Sequence, residues 1–252
     1  MSVLVRRSRT GERDLRTRTG MVVAQARVEV GMTLRRGESV LLALGIPVLL
    51  LVFFSSVDVL DVDVEFMAPG ILALAVMSTA MVSLGIATGF ERQYLVLKRL
   101  GTTPLGRPAL LAAKTASVLA VEVLQVVVLV AVATLLGWSP GGRPLLAAAA
   151  LLLGTVAFAG LGLLMAGSLK AEVTLAAANG LYLMLLLLGG MVVPLDKLPG
   201  PLQAVSRGLP AGALSDAVHG AFGAGVPGRA WVVLAAWAVL APAAAAATFK
   251  WE

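Results

Sequence analysis

Long apolar stretches alternate with short polar ones along most of the chain. Six of these stretches are long enough for a membrane-crossing helix, which needs ~20 mostly apolar residues at about 1.5 Å rise per residue. They lie at 39–57, 67–90, 115–137, 144–167, 173–193 and 230–248. Only one charged residue, Glu122, falls inside any of them. The pattern predicts an all-α integral membrane protein with six transmembrane helices.

The residues before the first stretch follow a different pattern. Residues 1–20 are rich in Arg, Thr and Ser, which predicts a disordered cytoplasmic tail. In residues 21–38 the apolar side chains repeat at helical spacing, with arginines outside the apolar stripe. The stripe consists of Val23, Ala26, Val30 and Leu34. This is typical of an amphipathic helix lying in the membrane interface, the alternative being a solvated extension of the first span.

The basic residues are distributed unevenly between the two sides of the predicted bundle. The chain carries a net charge of +6, and sixteen of its 20 Lys and Arg fall on one side if six helices alternate. Segment 58–66, on the other side, has four acidic residues and no basic one. Positive residues stay cytoplasmic during insertion, so we expect a multi-pass protein of the cytoplasmic membrane with both termini cytoplasmic. The basic excess therefore indicates topology and contact with anionic membrane lipids rather than nucleic acid.

The longest cytoplasmic segment between spans, 91–108, begins with residues at helical spacing. One side of this helix is apolar and the other basic, and glycine and proline then end the pattern. The residues concerned are Tyr94, Leu97 and Leu100 on one side and Arg92 and Arg99 on the other. Either the lipid headgroup layer or a groove on a cytoplasmic partner would bury the apolar side, and periodicity leaves both open.

Segment 194–229 is the longest on the extracytoplasmic side. It is too apolar for a free loop and too interrupted by Pro and Gly for another span. We expect two short helices, 200–207 and 211–222, forming a re-entrant segment before the last span. Irregular backbone at membrane depth must be buried against protein or line a cavity.

Polar side chains inside the spans are few. They are Glu122 and Gln125 in the third span and Asn179 in the fifth. Such groups usually face other helices or water, since a charge at membrane depth costs at least ~2.5 kcal/mol. Glu122 therefore either lines a transport cavity or couples to protons, or is a neutral strut between helices.

Catalytic and metal-binding patterns are missing from the sequence. There is no cysteine and one histidine, His219, so we expect no transition-metal site. Ser215 lies four residues before His219, but no further base or oxyanion donor is marked, so we expect a structural role for both. Gly101 and Gly106 have the spacing of a phosphate-binding loop, yet Arg107-Pro108 stands where Lys-Ser/Thr is required.

Taken in order, these segments resemble one family. The interfacial helix, the Glu91–Pro104 segment ending Leu-Gly-Thr-Thr-Pro-Leu, and the Pro-Leu-Asp-Lys-Leu-Pro segment at 194–199 look like an ABC-2-type transporter permease of the daunorubicin drug-exporter kind. The resemblance covers about 21–250, so residues 21–252 are expected to form one six-span permease domain after the 1–20 tail.

The resemblance implies an exporter in which this chain is not an enzyme and binds no cofactor. ATP and Mg²⁺ would be used by a separate cytoplasmic ABC ATPase, present in two copies, and a second six-span permease, the same or homologous, would complete the pathway. Efflux of a drug-like or lipid-like amphipathic substrate, and hence antibiotic resistance, would follow.

The resemblance also implies that the 91–103 segment is the coupling helix that receives the ATPase stroke. The residues at this contact would be Glu91, Arg92, Tyr94, Leu97, Lys98, Arg99, Leu100 and Thr103. A secondary carrier or a membrane-embedded enzyme without an ATPase is the alternative. Carriers usually show inverted repeats and several intramembrane charges, and the sequence shows no repeat and only Glu122.

Overall fold

The structure, a computed structural model, describes residues 31, 37–56, 63–95, 107–223, 225 and 227–249. Within these residues all regular structure is helical, which confirms the predicted all-α class. The helices are α1 Gly37–Ser56, α2 Val64–Gln93, α3 Arg107–Leu135, α4 Pro144–Ser168, α5 Ala171–Leu188, α6 Gly200–Ser206, α7 Pro210–Phe222 and α8 Gly228–Thr248. A 3-10 turn, Leu195–Lys197, lies between α5 and α6. The predicted N-terminal tail and most of the interfacial helix lie outside the described residues.

Five of these helices, α2, α3, α4, α5 and α8, are long and apolar enough to cross a membrane. In α1 the apolar part found is shorter, Ala43–Ser56, so the sixth span stays a prediction. Most helix bounds lie within three residues of the predicted ones. The two larger differences are at α3, which begins at Arg107 rather than at 115, and at α5, which ends at Leu188 rather than at 193. Gly190 follows with φ +67°, a left-handed conformation that stops a helix.

The centre of the bundle is the close crossing of α4 with α2 and α8. A Cβ added to Gly162 of α4 would lie 2.6 Å from the carbonyl oxygen of Met81 in α2, and one added to Gly160 would lie 2.5 Å from the nitrogen of Pro242 in α8. Helices in membranes associate through small residues that let backbones approach in this way. At the crossing, α2 contains a π-helical turn, Ser78–Ser83. Such turns widen the helix locally and are frequent at functional sites.

The short helix α7 is enclosed by the long ones. It packs against α2, α4 and α8, and most of its residues are buried. Ser215 of α7 donates a hydrogen bond to Gly190 O at 2.8 Å, and Ser206 of α6 donates one to Leu188 O. The two serines thus satisfy carbonyl groups that the end of α5 leaves without an intrahelical partner. Helices α6 and α7 lie within one residue of the two predicted short helices, and their re-entry into the membrane stays a prediction.

Candidate functional site

Three consecutive residues at the end of α2 each contact a different helix. Glu91 forms an ion pair with Lys114 of α3. Arg92 donates hydrogen bonds to Gly167 O and Leu169 O at the end of α4. Gln93 Nε2 donates to Glu172 Oε1 of α5 at 2.8 Å. We call Glu91, Arg92 and Gln93 the α2 clamp, because they fasten α2 to three neighbouring helices at one end of the bundle.

The Arg92 contacts have a clear physical basis. The last carbonyl groups of a helix have no intrahelical donor and carry partial negative charge, so a cation placed there both satisfies and stabilises them. The guanidinium is planar and presents several N–H groups, which lets Arg92 reach Gly167 O at 2.6 Å and Leu169 O at 2.5 Å together. Hydrogen bonds to a charged donor contribute roughly 1.5–3 kcal/mol each. Arg92 therefore fastens the end of α2 to the end of α4.

The ion pair of Glu91 with Lys114 closes the base of the following loop. The Lys114 side chain is buried, whereas that of Glu91 is one-third exposed. A buried ammonium needs a charged partner, since removing one member of such a pair is strongly destabilising. The segment between Glu91 and Lys114 therefore begins and ends on the same contact.

Helix α2 ends directly after the α2 clamp. Tyr94 is 69% exposed, and Leu95 has φ +59°, a conformation that ends the helix. The prediction of a helix beginning at Glu91 is therefore wrong at its start, because Glu91 and Arg92 belong to α2 and turn inward. The other predicted coupling residues, Leu97, Lys98, Arg99, Leu100 and Thr103, lie outside the described residues, as do Gly101 and Gly106. The coupling role of the segment stays a prediction.

A second polar cluster lies inside the bundle, between α1, α2, α3 and α4. Gln125 of α3 accepts a hydrogen bond from Thr79 Oγ1 at 3.0 Å and donates one to Ala43 O at 2.8 Å. Thr79 belongs to the π-helical turn of α2. Glu122, one turn earlier on α3 and 5% exposed, lies 2.5 Å from Thr155 Oγ1 of α4. Gln125 and Glu122 together thus link four helices.

The geometry around Thr155 bears on the state of Glu122. The Thr155 hydroxyl lies within hydrogen-bond distance of both Glu122 Oε2 and Leu151 O, the latter at 2.9 Å. A hydroxyl has one proton to donate. Both contacts become hydrogen bonds when Glu122 is protonated and donates to Thr155, which donates in turn to Leu151 O. The arrangement fits the neutral interhelical strut that the sequence left as one of two possibilities.

Asn179 does not join this cluster. It lies on the exposed face of α5, and its amide donates to Leu175 O of its own helix at 2.8 Å. The three predicted intramembrane polar residues therefore form two separate sites. Thr79 and Thr155 were not predicted, because a threonine in an apolar stretch carries no sign of the helix it will face.

His219 and Ser215 lie on α7, where both make structural contacts. Nε2 of His219 lies 2.9 Å from Phe66 O at the start of α2, and Nδ1 lies 2.8 Å from Ser215 O. The His219 ring also packs on that of Phe66, with centroids 4.3 Å apart. Burial of the imidazole lowers the pKa of His219 despite these carbonyl contacts. These contacts hold α7 against α2.

Comparison with known families identifies the chain. Residues 28–222 match the family model described as ABC-2 type transporter. The chain belongs to the ABC-2 type transporter family. It is thus a membrane permease component of an ABC transporter, a multi-pass membrane protein of a family that works with an ABC ATPase and is typically not itself catalytic. No curated protein matches the chain.

The intramembrane cluster gives a first test of this permease. We expect Gln125→Leu to lower the free energy of unfolding by about 1–2 kcal/mol, since it removes hydrogen bonds to both α1 and α2. Glu122→Gln should be nearly silent in both stability and transport, because an amide is also neutral and hydrogen-bonds Thr155. Denaturant unfolding in detergent measures the first effect, with Thr134→Val, which removes an exposed hydroxyl bonded only within α3, as the control. Lost transport in Glu122→Gln at wild-type stability would show that Glu122 acts through its charge or its proton.

Proposed function

We propose that this chain is the permease subunit of an ABC exporter of the daunorubicin-type kind. It moves a drug-like or lipid-like amphipathic substrate outward across the cytoplasmic membrane, with both of its own termini on the cytoplasmic side. A separate cytoplasmic ATPase, present in two copies, binds ATP and Mg²⁺ and drives the cycle. The observation that carries the proposal is the α2 clamp, directly before the longest cytoplasmic segment between spans.

The α2 clamp gives the loop a mechanical connection to the bundle. A force on the loop reaches the end of α2 at Tyr94 and the start of α3 at Arg107. The α2 clamp ties α2 to α3, α4 and α5, so these helix ends move together rather than separately. A permease driven by a separate ATPase needs such a connection, because the work must pass from a cytoplasmic surface into the membrane helices.

The docking surface is proposed to lie on the apolar side of the loop. Tyr94 is already exposed at the end of α2, with its ring beside that of Phe90 at 6.3 Å between centroids. Leu97 and Leu100 follow at helical spacing. Aromatic and apolar anchors dominate interface energy, whereas rim charges contribute little. Lys98 and Arg99 would then pair with an acidic rim or with lipid headgroups, and Thr103 would lie at the end of the contact.

A second permease copy is proposed to cover the outer face of α5. Asn179 lies on that face with an amide oxygen that accepts no hydrogen bond within the described residues. Beside it, Ala176 and Gly180 are also exposed and spaced four apart. Small residues at this spacing allow close approach of two helices, and an asparagine hydrogen-bonds across such a contact. Two copies meeting here would pair their amides and leave the export pathway between them.

The loop is tested by substituting one anchor and one rim charge. We expect Leu97→Asp to detach the ATPase and abolish transport, because a carboxylate in an apolar docking groove is costly to desolvate. Lys98→Ala, at the neighbouring residue, should leave ATPase co-purification and transport within about twofold of wild type, because a rim charge contributes little. Co-purification of the ATPase and transport are measured at matched membrane abundance. Wild-type behaviour of Leu97→Asp would rule out this loop as the coupling element.

The α5 contact is tested by cross-linking. The chain has no cysteine, so a single introduced thiol reports one position. We expect Gly180→Cys to form a disulfide-linked dimer in native membranes, because the two helices would approach closely there. Val239→Cys, on the exposed face of α8, should stay monomeric. A dimer through position 239 but not through 180 would place the partner on α8 instead.

A further inference from the structure

An open cavity of about 590 Å³ lies where the end of α6, the helix α7 and the start of α8 meet. Its charged lining consists of Arg207, Asp216 and Arg229. Gly220, Gly225 and Pro227 complete the wall. Cavities of 300–1,000 Å³ are the usual size for small-molecule sites.

The three charges in this cavity do not neutralise one another directly. Within the described part of the chain, neither guanidinium forms an ion pair or a hydrogen bond with Asp216. Burial of the carboxyl raises the pKa of Asp216 and outweighs the lowering by His219, Arg207 and Arg229. Asp216 is half-buried, whereas both arginines are exposed. The cavity thus offers two cationic groups and one partly desolvated acidic group to an incoming ligand.

His219 forms part of the wall rather than a fourth charge. Its Nε2 lies 2.9 Å from Phe66 O and its Nδ1 lies 2.8 Å from Ser215 O, and burial of the imidazole lowers the pKa of His219, which favours the uncharged ring. The ring packs on Phe66 and is fixed in place. Ligand recognition therefore falls to the two guanidiniums and the carboxylate.

The cavity lies at the start of α8, one of the helices long and apolar enough to cross a membrane. Trp237 of α8 donates its indole hydrogen to Gly208 O at 3.0 Å, which fastens the residue after Arg207 to α8. Trp231 lies two residues after Arg229 on the same helix. The end of a membrane-spanning helix lies at the headgroup level of the bilayer. The cavity opens at the end of α8 that the proposed topology places on the outer side.

We propose that this cavity binds a phosphate–ammonium zwitterion, the headgroup of a phosphatidylethanolamine-type lipid. The phosphate lies between Arg207 and Arg229, and the ammonium donates to Asp216. Guanidinium groups match phosphate oxygens geometrically, and a charge-assisted bond to an ammonium keeps Asp216 ionised. The assignment of this lipid to the outer leaflet rests on the topology in the proposed function. Headgroup binding itself does not, because it requires neither an ATPase nor transport.

The carboxylate is what selects this headgroup. Asp216 repels a ligand that carries only negative charge, such as phosphatidylglycerol. A quaternary ammonium, as in phosphatidylcholine, has no N–H group to donate to Asp216. The order of affinity should therefore be phosphatidylethanolamine first, with the other two weaker.

Native mass spectrometry of the detergent-purified chain, titrated with these three lipids of identical acyl chains, tests the proposal. We expect Arg207→Gln and Arg229→Gln each to weaken phosphatidylethanolamine binding about tenfold, the scale of one lost charge-assisted hydrogen bond. Asp216→Asn should weaken the binding of phosphatidylethanolamine, whereas phosphatidylglycerol should bind as tightly as before or more tightly. Arg143→Gln, which removes an exposed arginine outside the cavity lining, is the matched control and should change nothing.

Three results would overturn the proposal. Equal affinity of the wild-type chain for the three lipids would show that the cavity does not select a zwitterionic headgroup. An equal loss in Arg143→Gln would show non-specific attraction of headgroups to positive charge. Displacement of the lipid by equimolar soluble phosphoethanolamine would show that the ligand is not a lipid. Unchanged thermal unfolding of each variant in detergent confirms that a loss of binding is local, because all substituted side chains lie on the cavity rim or the surface.

Discussion

No water is available inside a bilayer to satisfy a polar group, so each one must find its partner within the protein. This constraint explains the contacts that hold the permease together. Arg92 supplies donors to the end of α4, and Ser206 and Ser215 supply donors to the end of α5. Gln125 fastens α1 and α2 to α3. In each case a short polar contact fixes helices whose apolar surfaces alone would pack equally well in several positions.

The same constraint distinguishes the inside of the bundle from its outer faces. Where backbones approach closely, as at Gly160 and Gly162, small residues pack directly on the neighbouring helix. Asn179 instead lies on an exposed face of α5. A membrane protein with such a residue is completed by another helix or by a water-filled pathway.

Much of the fold follows from the sequence, because hydropathy and the positions of Gly and Pro report directly on length in the membrane. The five long apolar helices and the two short ones, 200–206 and 210–222, lie close to their predicted bounds. The direction in which a polar side chain points was not predictable. Glu122 and Asn179 look alike in the sequence, yet one is buried between helices and the other exposed. Arg92 was expected to face a partner and instead holds α4, since a charge pattern does not reveal which nearby helix ends lack donors.

The central claim is that the α2 clamp joins helix ends into one mechanical unit. Spin labels are attached at Tyr94→Cys and Lys170→Cys, which are both exposed and lie next to the Arg92 contacts. Double electron–electron resonance then measures the distance between the two labels directly. We expect one narrow distribution of distances between the labels at 94 and 170, and a broader distribution when Arg92→Gln is added. A label pair at Leu145 and Val232, on exposed positions of α4 and α8 remote in sequence from the α2 clamp, should not respond. An equally narrow distribution between 94 and 170 with Arg92→Gln present would contradict the account.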